Sequence, residues 1–118
     1  MRIKDVDLLV IHCSATREGK GLDVEDIRAM HKRRGWSDVG YHFIIKLDGT
    51  IQKGRSLDVM GAHVKNHNSH SWGVCYIGGL DKDGNPKDTR TPEQINSMVF
   101  LVDMLKIIAS KDRDWETN

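Results

Sequence analysis

The sequence predicts a single α/β domain, a central mixed β-sheet flanked by helices. Three observations predict it: apolar, β-branched runs at 6–12, 41–47 and 72–77, helical periodicity at 24–34 and 92–109, and the alternation of the two kinds of segment along the chain. A chain of 118 residues buries one hydrophobic core and is too short for two, so residues 1–118 form one unit.

Each element has a local reason. Val6 to His12 is nearly continuous apolar sequence, the pattern of a strand buried on both faces, and it ends in a polar loop from Ser14 to Gly21. Asp23 stands where an N-cap belongs. Val24, Ile27 and Met30 follow at helical spacing, and a basic last turn of Lys32, Arg33 and Arg34 before Gly35 suits the negative end of the helix dipole. Tyr41 to Leu47 reads as a strand, and Asp48-Gly49 as a hairpin turn into Thr50-Ile51-Gln52. Trp72 to Ile77 reads as another strand, closed by Gly78-Gly79 and the turn-rich stretch LDKDGNPKD. Thr91-Pro92-Glu93-Gln94 carries an N-cap threonine, a proline at the first helical position and a glutamine able to return a hydrogen bond to the cap. Ile95, Met98, Val99, Val102, Leu105 and Ala109 then give that helix one apolar face to lay on the sheet.

Composition excludes some functions. A formal net charge of +1 gathers neither nucleic acid nor acidic lipid. No stretch reaches the length of a membrane span, so no membrane insertion is expected. The start MRIKDVDLLVIHC is too short and too acidic for a secretory signal, which predicts a protein cytoplasmic as synthesised. Cys13 and Cys75 lie in apolar runs outside any closely spaced metal motif and read as reduced thiols.

Few residues are candidates for chemistry. His12 sits where the first strand meets its exit loop, a place that can hold an imidazole at a cleft edge, although a single histidine also reads as a hydrogen-bonded structural residue. Tyr41 could donate to a developing oxyanion or simply fill the core. Its neighbour His42 should point to the opposite face of a strand, leaving at most one of the two in any pocket. The segment from Gly61 to Asn68 places small residues beside His63, Lys65 and His67, which suits a loop that approaches a polar ligand. His63, His67 and His70 could be drawn as a metal cluster, but lie in a polar loop where solvated histidines are commoner.

Taken in order, the segments VIHCSAT, IRAMHKRRGW, DVGYHFIIKLDGTIQKGR, GAHVKNHN and SWGVCYIGGLDKDG resemble the zinc-dependent N-acetylmuramoyl-L-alanine amidases of the phage-lysozyme type, relatives of the peptidoglycan recognition proteins. The resemblance implies a groove for the glycan-peptide junction of the bacterial cell wall, with peptidoglycan or a muramyl peptide as partner. It implies hydrolysis of the amide between N-acetylmuramic acid and L-alanine. By the same resemblance His12 is a zinc ligand, Tyr41 assists the tetrahedral intermediate, and His63 and Asn68 contact substrate, while His42 supports the site.

The family pattern continues past the long helix into a further strand and loop that carry a second histidine and a cysteine or aspartate ligand. Here the sequence after Ile108 is ASKDRDWETN, without histidine or cysteine, so the domain is expected to be C-terminally incomplete relative to the family. Three expectations follow: a fragment of an amidase, a catalytically inactive peptidoglycan-binding module, or an enzyme completed by other ligands such as His63, His70 or an acidic group. An absent strand would leave a sheet edge open, and a homo-oligomer is one way to cover it.

Overall fold

The computed structural model describes residues 1–117, with side chains described as far as Ser110. Its strands are β1 (Leu8–Cys13), β2 (Thr16–Arg17), β3 (Phe43–Ile45), β4 (Ile51–Lys53), β5 (Ser71–Tyr76) and β6 (Gly79–Leu80), and its helices α1 (Val24–Arg33) and α2 (Pro92–Thr117). The main sheet has the order β1-β5-β3-β4. β1 and β3 both run parallel to β5, whereas β3 and β4 form the antiparallel hairpin. The predicted mixed sheet flanked by helices is therefore the observed architecture.

The hairpin closes as its sequence dictates. Gly49 adopts φ +88, and the Asp48 side chain accepts the Thr50 N–H at 2.9 Å, so the turn is held from within. Helix α1 starts at a reciprocal cap, Asp23 and Asp26 each accepting the other's backbone N–H at 3.0 Å. It buries Val24, Ile27 and His31. Helix α2 starts with the expected box: Thr91 Oγ1 accepts the Gln94 N–H at 3.1 Å, and Gln94 Oε1 accepts the Thr91 N–H at 2.9 Å. The Gln94 amide also donates to the carbonyls of Ile45 and Ile77, at 3.3 and 3.0 Å.

Two cores result, one on each face of the sheet. Helix α2 covers Val6, Ile45, Trp72 and Val74 with Met98, Leu101 and Leu105. On the other face, Val24 and Ile27 of α1 pack with Val39, Ile44, Cys75 and Ile77.

Four expectations need correction. β1 was expected to be buried on both faces, but it pairs only with β5 at the border of the sheet, and Leu8 and Ile11 remain 36% and 40% exposed. The loop from Ser14 to Gly21 contains β2, which pairs in parallel with β6 in a separate two-stranded sheet. The apolar face of α2 is turned from its expected direction: Leu101 is buried, while Ile95 and Val99 are exposed. Finally, the strand expected over 41–47 begins only at Phe43, with consequences for the site. Both cysteines are free thiols, as expected. No helix among the described residues is long and apolar enough to cross a membrane.

Candidate functional site

β1 and β5 run in register, His12 opposite Cys75, and this fixes the His12 imidazole on the α1 face of the sheet. Its Nε2 lies 2.9 Å from Nδ1 of His63, and His63 Nε2 lies 3.1 Å from Ser71 Oγ. Because only one proton can sit between the two imidazoles, the tautomer of one ring dictates that of the other.

Space for His63 comes from glycine. A Cβ built on Gly73 would lie 2.6 Å from the His63 ring, and one on Gly61 would lie 2.7 Å from it. The loop is shaped by Asn68, whose Oδ1 accepts the backbone N–H groups of both His63 and Val64 at 3.0 Å. Asn68 thus meets the site through its hold on the His63 loop.

Tyr41 and His42 were expected on opposite faces. The structure places both on the His12 side, because regular strand geometry starts after them. The Tyr41 ring centroid is 5.2 Å from His12 and 6.5 Å from His63, and the His42 centroid is 5.9 Å from His63. His42 is fully buried. Its Nδ1 accepts the Gly73 N–H at 3.0 Å, so its Nε2 carries the proton and donates to the Val59 carbonyl at 2.7 Å. Both nitrogens are used, which makes His42 a support for the strand and for the loop before Gly61, as its motif implied.

His31 was not singled out from the sequence. It is buried, its Nδ1 accepts the Gly40 N–H at 2.8 Å, and its ring packs between Trp36 at 4.6 Å and Tyr41 at 5.4 Å. Position 31 lies four residues after Ile27 on the buried stripe of α1, a signal available in the periodicity.

Burial sets the protonation states. It lowers the pKa of His12, and it lowers that of His63 to about 4, assisted there by the neighbouring charges of His12, His42 and Arg55. Burial, and next the Cys75 thiol, raises the Tyr41 phenol above its ordinary value, so Tyr41 stays a hydrogen-bond donor. Cys75 itself is pushed up to about 12 by burial, which makes it an inert thiol. The cluster therefore combines two neutral imidazoles with one protonated phenol.

A catalytic zinc requires three protein ligands and an open position. His12 and His63 bring two nitrogens together, but among the described residues no group of three His, Cys, Asp or Glu side chains could hold a metal ion. His70 does not complete the set, since its nitrogens face Asp7 and His67. The described residues alone do not fit a catalytic zinc.

A mixed sheet with an imidazole-phenol cluster on one face and a long helix on the other defines an α/β protein of the amidase and peptidoglycan-recognition class. The chain belongs to the N-acetylmuramoyl-L-alanine amidase family, whose model matches residues 2–113. It is 46% identical over 104 residues to the endolysin of Klebsiella phage KP32, covering 88% of this chain and 69% of that one. With the endolysin of Enterobacteria phage K11 it shares 51% identity over 88 residues, 75% of this chain and 58% of the relative. Among solved structures it resembles the N-acetylmuramoyl-L-alanine amidase LysC from Clostridium intestinale URNW, with a TM-score of 0.78 and 28% identity, covering 92% of this chain and 68% of that one. The chain thus spans between 58% and 69% of the lengths of these three proteins.

Proposed function

We propose that this peptidoglycan amidase-like chain binds a muramyl peptide in the cleft between His12, Tyr41 and His63, and that the amide between N-acetylmuramic acid and L-alanine is the bond presented there. The observation that carries the reading is the convergence of His12, Tyr41 and His63 on one face, with all three rings within 6.5 Å of one another. His63 and Asn68 form the substrate-facing loop, Asn68 by fixing its path. Tyr41, kept protonated, donates to the carbonyl oxygen as charge develops on it. The linked imidazoles of His12 and His63, both neutral, share one N–H between their facing nitrogens, which fixes their tautomers and orients both rings beside Tyr41. Zinc, which the family resemblance implies, would meet His12 here, but the described residues alone supply too few ligands to hold it.

That shortfall favours a second reading, a module that binds peptidoglycan without turnover. Incubating purified chain with muramyl peptide, with and without added zinc, separates them. Release of L-alanine-linked peptide supports the amidase reading. Retention on insoluble peptidoglycan with no release supports the module, and neither retention nor release defeats both.

The target in either case is the bacterial cell wall. Self-association through the open edge of β1 fits the exposure of Leu8 and Ile11, and sedimentation across a concentration series tests it.

A further inference from the structure

A second pair of histidines lies outside the cleft, at the opposite end of β1 and β5. His67 Nδ1 is 3.2 Å from His70 Nε2, with the ring centroids 5.3 Å apart at 70°. His70 Nδ1 is 2.5 Å from Asp7 Oδ1. A carboxylate accepts and cannot donate, so His70 Nδ1 carries a proton toward Asp7. That leaves the lone pair of the neutral ring on Nε2, aimed at His67.

We propose that His67 Nδ1 and His70 Nε2 form a binding site for a borderline divalent transition metal such as Zn²⁺ or Ni²⁺, with Asp7 orienting His70 from behind. Two imidazole nitrogens on one tetrahedral zinc stand about 3.3 Å apart, given metal-nitrogen bonds of about 2.0–2.1 Å, so the spacing suits one metal, which enters as the His67 proton moves from Nδ1 to Nε2 and both rings turn their lone pairs toward it. An imidazole that ligates through one nitrogen while its other N–H meets a carboxylate is the usual support for such a ligand. Water completes the coordination, because His67 is exposed and the His70 side chain is 34% exposed. The sequence supplies the pair through a single-turn helix, Asn68–His70, which brings residues three apart to one side.

The placement gives the metal a structural effect. Asp7 immediately precedes β1, His70 immediately precedes β5, and the Asp7 N–H already donates to the His70 carbonyl at 3.0 Å. Asn68, which fixes the His63 loop, lies between the two histidines. A bound metal therefore clamps that loop to the start of the sheet, and this site is independent of the muramyl-peptide reading.

The test is a titration of the full chain with Zn²⁺, followed by calorimetry and thermal melting, and with Ni²⁺, followed by paramagnetic broadening of histidine ring signals. The expected result is a binding event that raises the melting temperature and broadens His67 and His70. The double variant His67→Ala with His70→Ala loses that event, His12→Ala keeps it, and Asp7→Asn weakens it by about 10-fold. Because the substituted side chains lie at the surface, circular dichroism without metal should be unchanged. Unaltered Zn²⁺ affinity in the double variant, loss of the event in His12→Ala, or no broadening at His67 and His70 would each overturn the proposal.

Discussion

The two faces of the central sheet are built from alternate residues of the same strand and do opposite work. Trp72, Val74 and Tyr76 of β5 point toward α2 and are packed in its core. Ser71, Gly73 and Cys75 point the other way. Large side chains on the α2 face fix the helix, while small ones on the α1 face leave volume for the rings of His12, His42 and His63. What the contrast teaches is that period-two alternation here sorts residues by size as well as by polarity, and the room left beside the small residues is what the His63 ring occupies.

The sharpest way to break this contrast is at its apolar side. Trp72→Ala should cost about 3–5 kcal/mol, since it removes a fully buried side chain from the α2 core and strands the Leu57 carbonyl that its indole N–H meets at 2.9 Å. Urea denaturation measures it. On the α1 side, Tyr41→Phe should leave stability close to wild type while removing the phenolic O–H proposed to donate to the oxyanion. If the chain turns over muramyl peptide, kcat falls by about 10²–10³, and an unchanged kcat would remove Tyr41 from the chemistry.

Gly73→Ala tests the space argument directly. Its Cβ meets the His63 ring, so a loss of about 1–3 kcal/mol and a displaced His63 signal in the imidazole NMR spectrum are expected. Val74→Ala, one residue away, should cost a similar amount but leave the His63 signal in place, and equal spectra for the two variants would contradict the division between faces.

The smallest effect expected is on pH dependence. Burial lowers the folded-state pKa of His12, His31, His42 and His63 below the ordinary imidazole value of 6.5. The unfolded chain therefore binds more protons than the folded one once the pH falls below 6.5. Stability rises with pH through this window and is lost as the solution is acidified. Because most carboxylates titrate near 4 and below, denaturation midpoints at pH 7.5 and 5.5 isolate the imidazole contribution. A midpoint unchanged or higher at pH 5.5 would show that these rings are not buried neutral.

Much of this was legible in the sequence because the signals were local. The Asp48-Gly49 turn, the Asp23 cap and the Thr91-Gln94 box each depend on residues within a few positions, and all three stand where the sequence put them. Family order supplied the convergence of His12, Tyr41 and His63, which no spacing argument could have provided. The misses were long-range. Whether Val6 to His12 is central or marginal depends on which strands pair with it, and the strand itself carries no record of that. Tyr41 and His42 share a side because β3 starts two residues later than its apolar run suggested, and boundaries are where pattern is weakest. His31 is a polar residue on a buried stripe, and its role emerges only once Gly40 is seen to need an acceptor.

The Gln94 side chain has one further consequence. It is completely buried, and its amide closes the first turn of α2 while holding the carbonyls at the ends of β3 and β5. Prising those two strands apart at that end uncaps the helix in the same motion, and fraying the helix start exposes two strand carbonyls. Amide exchange at Ile45, Ile77 and the first turn of α2 should accordingly slow and quicken together, as one cooperative unit riveted by a single carboxamide.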